Sequence, residues 1–250
     1  MSRPVERRAR PRRTIRKFVP PQHGAWAMLA APYLAGVLVA GWTWVAAPLA
    51  VAWLAGYLLS YYVLMAVKTR RVRRWRDQLV LYSALAAPAA AVVVLARPVV
   101  LWYVPAFAAL LAVNAWYAAR RQERSLVNDL ASVIQSCLMV FVVGSVAGAG
   151  PSAMVEAFAA CAAYFAGTAF YVKTMIRERG SLAYRRWSVV YHAAALGLAV
   201  WLGPAPAVLF AWLLVRAAVL PRRGLTPKQV GLIEIGNTVL LLVAIGLTWG

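Results

Sequence analysis

Acid is what this sequence has least of. Asp and Glu number seven in 250 residues, against 27 Lys and Arg, and charged residues of both signs make up only 14% of the chain. A soluble domain carries about 25% charged residues, so the composition excludes an ordinary soluble fold. Cysteine and histidine are equally scarce, at two each. Cys137 and Cys161 fall inside apolar runs without metal-ligand spacing and read as small packing residues. His23 and His192 also lack the spacing of a metal site, and the sequence names no cofactor. Low-complexity sequence beyond the N-terminal tail and a convincing internal repeat are both missing.

What fills the chain is apolar. Hydrophobic residues make up 63% of it, and the mean hydropathy is +0.68. Apolar runs recur at about 24–41, 45–67, 79–96, 99–118, 126–149, 153–172, 187–202, 205–220 and 230–249. Most have the length needed to cross a hydrocarbon core of about 30 Å. The seventh and eighth are short, so an eight-span reading stays open beside the nine-span one. Lipid obliges a backbone to satisfy its own hydrogen bonds, so the expected fold is an all-α polytopic bundle of about nine transmembrane helices. Residues 20–250 form this domain, behind a basic and disordered cytoplasmic tail over 1–19. A basic N-terminus before an apolar run can mimic a signal peptide, but eight more spans follow it, and it reads as a retained first helix.

The net charge of +20 would point to nucleic acid on a soluble surface. Here the cations lie at the ends of apolar runs. The tail, the loops after spans 2, 4 and 6 and the join of spans 8 and 9 hold 26 of the 27, leaving Arg97 as the exception. They read as topology signals and anionic-lipid contacts, not as a nucleic-acid surface. The positive-inside rule then places the N-terminus in the cytoplasm, the C-terminus outside, and the protein in the inner membrane.

Ionisable and polar groups inside spans are costly, and each invites a functional question. Span 5 carries Ser125, Asn128, Ser132 and Gln135 on one helical face, beside Arg124 and Asp129. Such a stripe faces the bundle interior or a wet cavity, where interhelical hydrogen bonding alone would also explain it. Span 6 ends in Tyr164, Thr168, Tyr171 and then Lys173, Arg177, Glu178 and Arg179. Lys173 and Arg177, four apart on a helix, could hold one anionic group together. Span 2 offers a parallel face through Tyr57, Tyr61, Leu64, Lys68 and Arg71. Snorkelling anchors are the plainer explanation of both. Span 9 places Glu234, Asn237 and Thr238 on one face, where Glu234 could equally be half of a buried ion pair.

In the derived topology His23, Lys68, Glu123, Asn128, Asp129, Lys173, Arg177, Glu178, His192 and Glu234 all fall in the cytoplasmic half, where they could converge on one pocket. Glu156 lies near the outer face and stays outside any such site.

The run Gln22-His23-Gly24-Ala25-Trp26-Ala27-Met28, with Pro32 after it, resembles the opening of the YwiC-like family of bacterial membrane proteins. Arg124-Ser125-Leu126-Val127-Asn128-Asp129 and Lys173-Thr174-Met175-Ile176-Arg177-Glu178-Arg179 are similar to that family's later polar blocks. The resemblance implies the membrane fold and supplies no activity. The architecture also resembles the UbiA prenyltransferases, whose nine helices hold an isoprenoid diphosphate and Mg²⁺ on two Asp-rich motifs at the cytoplasmic ends of helices 2 and 6. The matching places here read Ala66-Val67-Lys68-Thr69-Arg70-Arg71 and Tyr171-Val172-Lys173-Thr174-Met175-Ile176-Arg177, without an Asp. Lys and Arg would meet a phosphate directly where the family uses a metal held by carboxylates.

Two functional classes follow. In the first, an amphipathic anion such as an isoprenoid or quinone precursor binds Lys68, Arg71, Arg124, Asn128, Lys173, Arg177, Glu178, His192 and Asn237. If the substrate is turned over, the chemistry is that of an intramembrane transferase, with Asp129, Glu234 or His23 as acid or base. In the second, the chain is a small-anion permease with Glu234 and His192 as a proton relay, or a non-catalytic assembly factor. The absence of an inverted repeat and the few charges in the outer half favour the first.

Overall fold

A computed structural model describes residues 18–20 and 23–250. The basic tail expected over 1–19 therefore lies outside the described residues from 1 to 17, and so does the side chain of His23. Ten α-helices follow one another: α1 His23–Ala40, α2 Ala46–Thr69, α3 Arg76–Ala96, α4 Val104–Ala119, α5 Leu126–Cys137, α6 Met139–Ala147, α7 Pro151–Val172, α8 Leu182–Leu202, α9 Pro204–Val219 and α10 Pro227–Trp249. Helices α5 and α6 run end to end, since the Leu138 N–H still bonds to the Ile134 carbonyl at 2.9 Å. Together they make one span, Leu126–Ala147, so the described residues form nine helical segments.

Six of these are long and apolar enough to cross a membrane by length and composition, while Ala25–Ala40 and Pro204–Val219 are shorter apolar helices. Helix α8 stands apart because its first half carries Arg185, Arg186, Ser188 and His192. Its start at Leu182 lies five residues before the apolar run, because Ser181 caps it by accepting a hydrogen bond from the Tyr184 N–H. Pro at the first turn opens α7, α9 and α10, where the missing N–H costs nothing. A six-residue 3₁₀ turn, Pro98–Tyr103, precedes α4 and shortens it relative to the apolar run.

Helix α7 is the hub of the main core, with Met154, Ala157, Cys161, Tyr164 and Phe165 packed among residues of α1, α5, α8, α9 and α10. Close approach depends on small residues, as expected where lipid gives helices little hydrophobic reason to associate. A Cβ on Gly36 would sit 2.7 Å from the Val143 Cβ, so α1 and α6 touch only because that position is glycine. Outward faces are apolar, and all the exposed tryptophans but Trp212, midway along α9, lie toward the two ends: Trp42, Trp44, Trp102 and Trp201 at one, Trp116 and Trp187 at the other. Amphipathic rings favour the headgroup level, so these belts frame the apolar slab between them.

Candidate functional site

The polar side chains gather at the end of the bundle where α2, α4, α7 and α9 finish and α5, α8 and α10 begin. They form two clusters joined by the last turn of α7.

The first is built around the connection from α4 to α5. Ser125 caps α5 by accepting from the Asn128 N–H, and the Asn128 side-chain amide donates back to the Glu123 carbonyl at 2.8 Å. This fixes the short loop so that it presents Glu123 to one neighbour and the Arg124 carbonyl to another. Lys68, in the last turn of α2, reaches the Glu123 carboxylate at 2.5 Å. Lys173, just past α7, reaches the Asp129 carboxylate at 2.8 Å and donates to the Arg124 carbonyl at 2.6 Å. Burial works to raise the Glu123 carboxyl, but the hydrogen bond and charge of Lys68 outweigh it and hold the group below its ordinary value. Farther into the bundle, Asn114 of α4 donates to Gln135 at 2.8 Å and accepts from Ser132 at 3.1 Å. Ser136 donates to the Met28 carbonyl of α1. The polar stripe of α5 thus turns inward and ties α5 to α1 and α4.

The second cluster lies among α7, α8, α9 and α10. Arg216 is the largest fully buried side chain of the described residues and pairs with Glu234. Its guanidinium stacks over the Tyr171 ring at 4.1 Å and approaches His192 Nε2 at 3.3 Å. The other imidazole nitrogen, Nδ1, lies 2.7 Å from the Ser188 carbonyl. A carbonyl can only accept and a guanidinium can only donate, so His192 fits as the neutral Nδ1–H tautomer. Glu234 also accepts from Thr168 at 3.0 Å and from Asn237 at 3.2 Å, and Asn237 accepts from the Trp212 indole at 3.0 Å. Glycine makes the approach possible: a Cβ on Gly167 would meet His192 Nε2 at 3.1 Å and the Tyr191 ring at 3.2 Å.

The end of α7 serves both clusters because it widens into a π turn over Lys173–Arg177. Tyr171, before it, points to Arg216, whereas Lys173 points to α5. In an i→i+5 turn, residues four apart no longer stack on one face. Lys173 is accordingly buried and Arg177 exposed, so the two do not share one group. Glu178, Arg71 and the side chain of Arg124 are also exposed. Arg71 lies past the end of α2 and leaves the helical face that Lys68 continues.

Lys68, Asn128, Asp129 and Lys173 therefore come together in one cluster, and His192, Glu234 and Asn237 in the other. Asn114 and Arg216 are the members that the sequence reading missed as site residues. Asn114 had a signal, a lone amide inside an apolar run. Arg216 lies inside the eighth span, ahead of the join where its charge counts toward topology. Among the described residues, no three His, Cys, Asp or Glu side chains gather as a metal set.

Six helices long and apolar enough to cross a membrane, with two shorter apolar ones beside them, define a multi-pass α-helical membrane protein. The particular family comes from the comparisons. Residues 19–144 match the family described as YwiC-like protein. The chain is 30% identical over 234 residues to YwiC of Bacillus subtilis, covering 91% of this chain and 96% of that protein. It is 33% identical over 237 residues to a Haemophilus influenzae protein, covering 89% and 96% respectively. The chain belongs to the YwiC-like family, as the block opening at Gln22 anticipates. No solved structure matches it.

Proposed function

We propose that the chain lies in the inner membrane with its polar end toward the cytoplasm, its N-terminus inside and its C-terminus outside. There it holds an amphipathic anion, isoprenoid or quinone-precursor in class, on a UbiA-like arrangement of helices. The observation that carries this reading is the meeting of Lys68 and Lys173. They come from the ends of α2 and α7, yet both reach the dipeptide Glu123-Arg124. Those are the two helix ends where the prenyltransferase architecture binds a diphosphate.

Glu123 and Asp129 are partly exposed and belong to a loop and a first helical turn, so both can swing away. A diphosphate or carboxylate head can replace them on the two ammonium groups, with its tail between helices. Lys173 is buried and needs an anion at all times, which Asp129 supplies when the ligand is absent. Once released, Asp129 and Glu123 become the acid–base groups beside the ligand's head, whereas Glu234 stays committed to Arg216. The orientation rests on the basic loops and on Arg97, the exception, which donates to the Val146 carbonyl at 3.0 Å at the opposite end.

Native mass spectrometry of protein extracted gently from its own membrane tests the reading. Wild type should carry an amphipathic anion that Lys68→Ala and Lys173→Ala each release. Unchanged retention in both variants retires the site. The buried Arg216–Glu234–His192 cluster favours a second reading as a small-anion permease. Anion flux in proteoliposomes that stops in a Glu234→Gln variant still folded by its thermal unfolding profile would move the weight there.

A further inference from the structure

Away from both clusters, the α2–α3 hairpin carries a lateral groove of about 440 Å³. Val63, Ala66 and Val67 of α2, Leu79 of α3 and Val72 between them line it, and Arg70 is its one charged wall. Val63, Val67 and Val72 are exposed, so the apolar strip faces outward from the bundle.

The hairpin that frames the groove is firmly built. The Trp75 indole donates to Thr69 Oγ1 at 3.2 Å and packs on Tyr62 at 5.7 Å, and Tyr62 stacks in parallel on Tyr82. Arg70 ends α2 in the left-handed region, at φ 52°, with its N–H returned to the Val67 carbonyl at 3.3 Å. That backbone turns the arginine to the groove's end.

Charge is concentrated there. From Lys68 to Leu79 the chain holds six cations and one acid, Asp77. Lys68 is taken by Glu123, and none of the ion pairs among the described residues uses Arg70, Arg71, Arg73 or Arg74. An apolar trough ending in an arginine, within a basic field, complements an anion that carries a hydrocarbon chain. A zwitterionic lipid offers the chain, but its own cation opposes the field.

We propose that this groove is a binding site for one anionic phospholipid, with an acyl chain along Val63, Ala66, Val67 and Leu79 and the phosphodiester on Arg70. Arg71 and Arg73 add to the field that holds it. Neither Lys68 nor Lys173 lines this groove.

Titration of the delipidated full-length protein with phosphatidylglycerol or phosphatidylcholine of the same chain length, read by native mass spectrometry, tests the assignment. Wild type should retain one phosphatidylglycerol in preference to phosphatidylcholine. Arg70→Gly suits the left-handed backbone and keeps the fold, and it should weaken phosphatidylglycerol roughly fivefold, the worth of one cation at an anionic surface. Arg70→Lys should restore the preference, and Val67→Trp should fill the trough and expel both lipids. Equal retention of the two lipids by wild type overturns the proposal. So does phosphatidylglycerol binding unchanged in Arg70→Gly and Val67→Trp.

Discussion

The two charge clusters share one end of the bundle and one helix, α7, yet they are built from opposite materials. The cluster around Glu123 uses lysines, and its carboxylates keep water: the Glu123 and Asp129 side chains are 33% and 29% exposed. The cluster around Glu234 uses an arginine with no exposure at all, stacked on Tyr171 and matched to a carboxylate 12% exposed. An ammonium group is a compact, well-hydrated point charge on a flexible stem. A guanidinium is a weakly hydrated planar fork that stacks and fixes geometry. On the proposed reading the first arrangement can exchange its anion, whereas the second cannot without breaking the bundle. Position alone would not teach this, since both clusters lie at the same end of the bundle and draw on the end of α7.

The sharpest way to break that contrast is to remove one charge from the deeper cluster. Glu234→Gln leaves the Arg216 guanidinium uncompensated where water cannot reach it, and the expected loss is about 3–5 kcal/mol. Replacing both partners by apolar residues, Arg216→Met with Glu234→Met, should recover most of it, because neither desolvated charge then remains. Thermal unfolding in one detergent reads both variants. A Glu234→Gln loss no larger than that of Lys68→Ala would erase the distinction between the clusters.

A milder change sharpens the comparison without touching charge. Gly167→Ala drives a methyl group against His192 Nε2, the atom that faces Arg216, and against the Tyr191 ring. Overpacking of this kind costs about 1–3 kcal/mol. The loss should appear in unfolding while the retention of any anion on Lys68 and Lys173 stays as in wild type. Loss of retention together with stability would mean that α7 couples the two clusters mechanically.

Much of this was legible in the sequence. The apolar runs fall on the helical segments because hydropathy and length are all that a span requires. The stripe of Ser125, Asn128, Ser132 and Gln135 could be aimed inward because only one face of α5 carries it. The pairing of Glu234 with a cation was open as an alternative from the start, since an isolated carboxylate inside a span needs one. What the chain did not reveal was which cation. Arg216 reads as a topology signal, and its burial comes from the packing of α9 against α8, α10 and α7. The division into two clusters was hidden for a related reason. Lys173 and Arg177 have α-helical spacing in the sequence, and only the π turn separates them.

The smallest expected effect is at the rim. The Lys68–Glu123 pair is about a third exposed, and water and salt screen it, so Lys68→Ala should cost only about 0.2–1 kcal/mol. Its signature is in pH and not in size. The folded protein holds the Glu123 carboxyl below its ordinary value of 4.5, with the help of Lys68 winning over burial. A carboxyl lowered on folding adds stability above its unfolded value and loses it as pH falls through the folded one. The gap between wild type and Lys68→Ala should therefore be full at neutral pH and close as Glu123 is protonated in acid. Salt at about 1 M, where screening acts within roughly 3 Å, should shrink the same gap at neutral pH while leaving the Glu234→Gln loss unchanged. A gap at Lys68 that ignores both acid and salt would mean the rim pair is as sequestered as Arg216–Glu234. The rim could then no longer be the place where an anion exchanges.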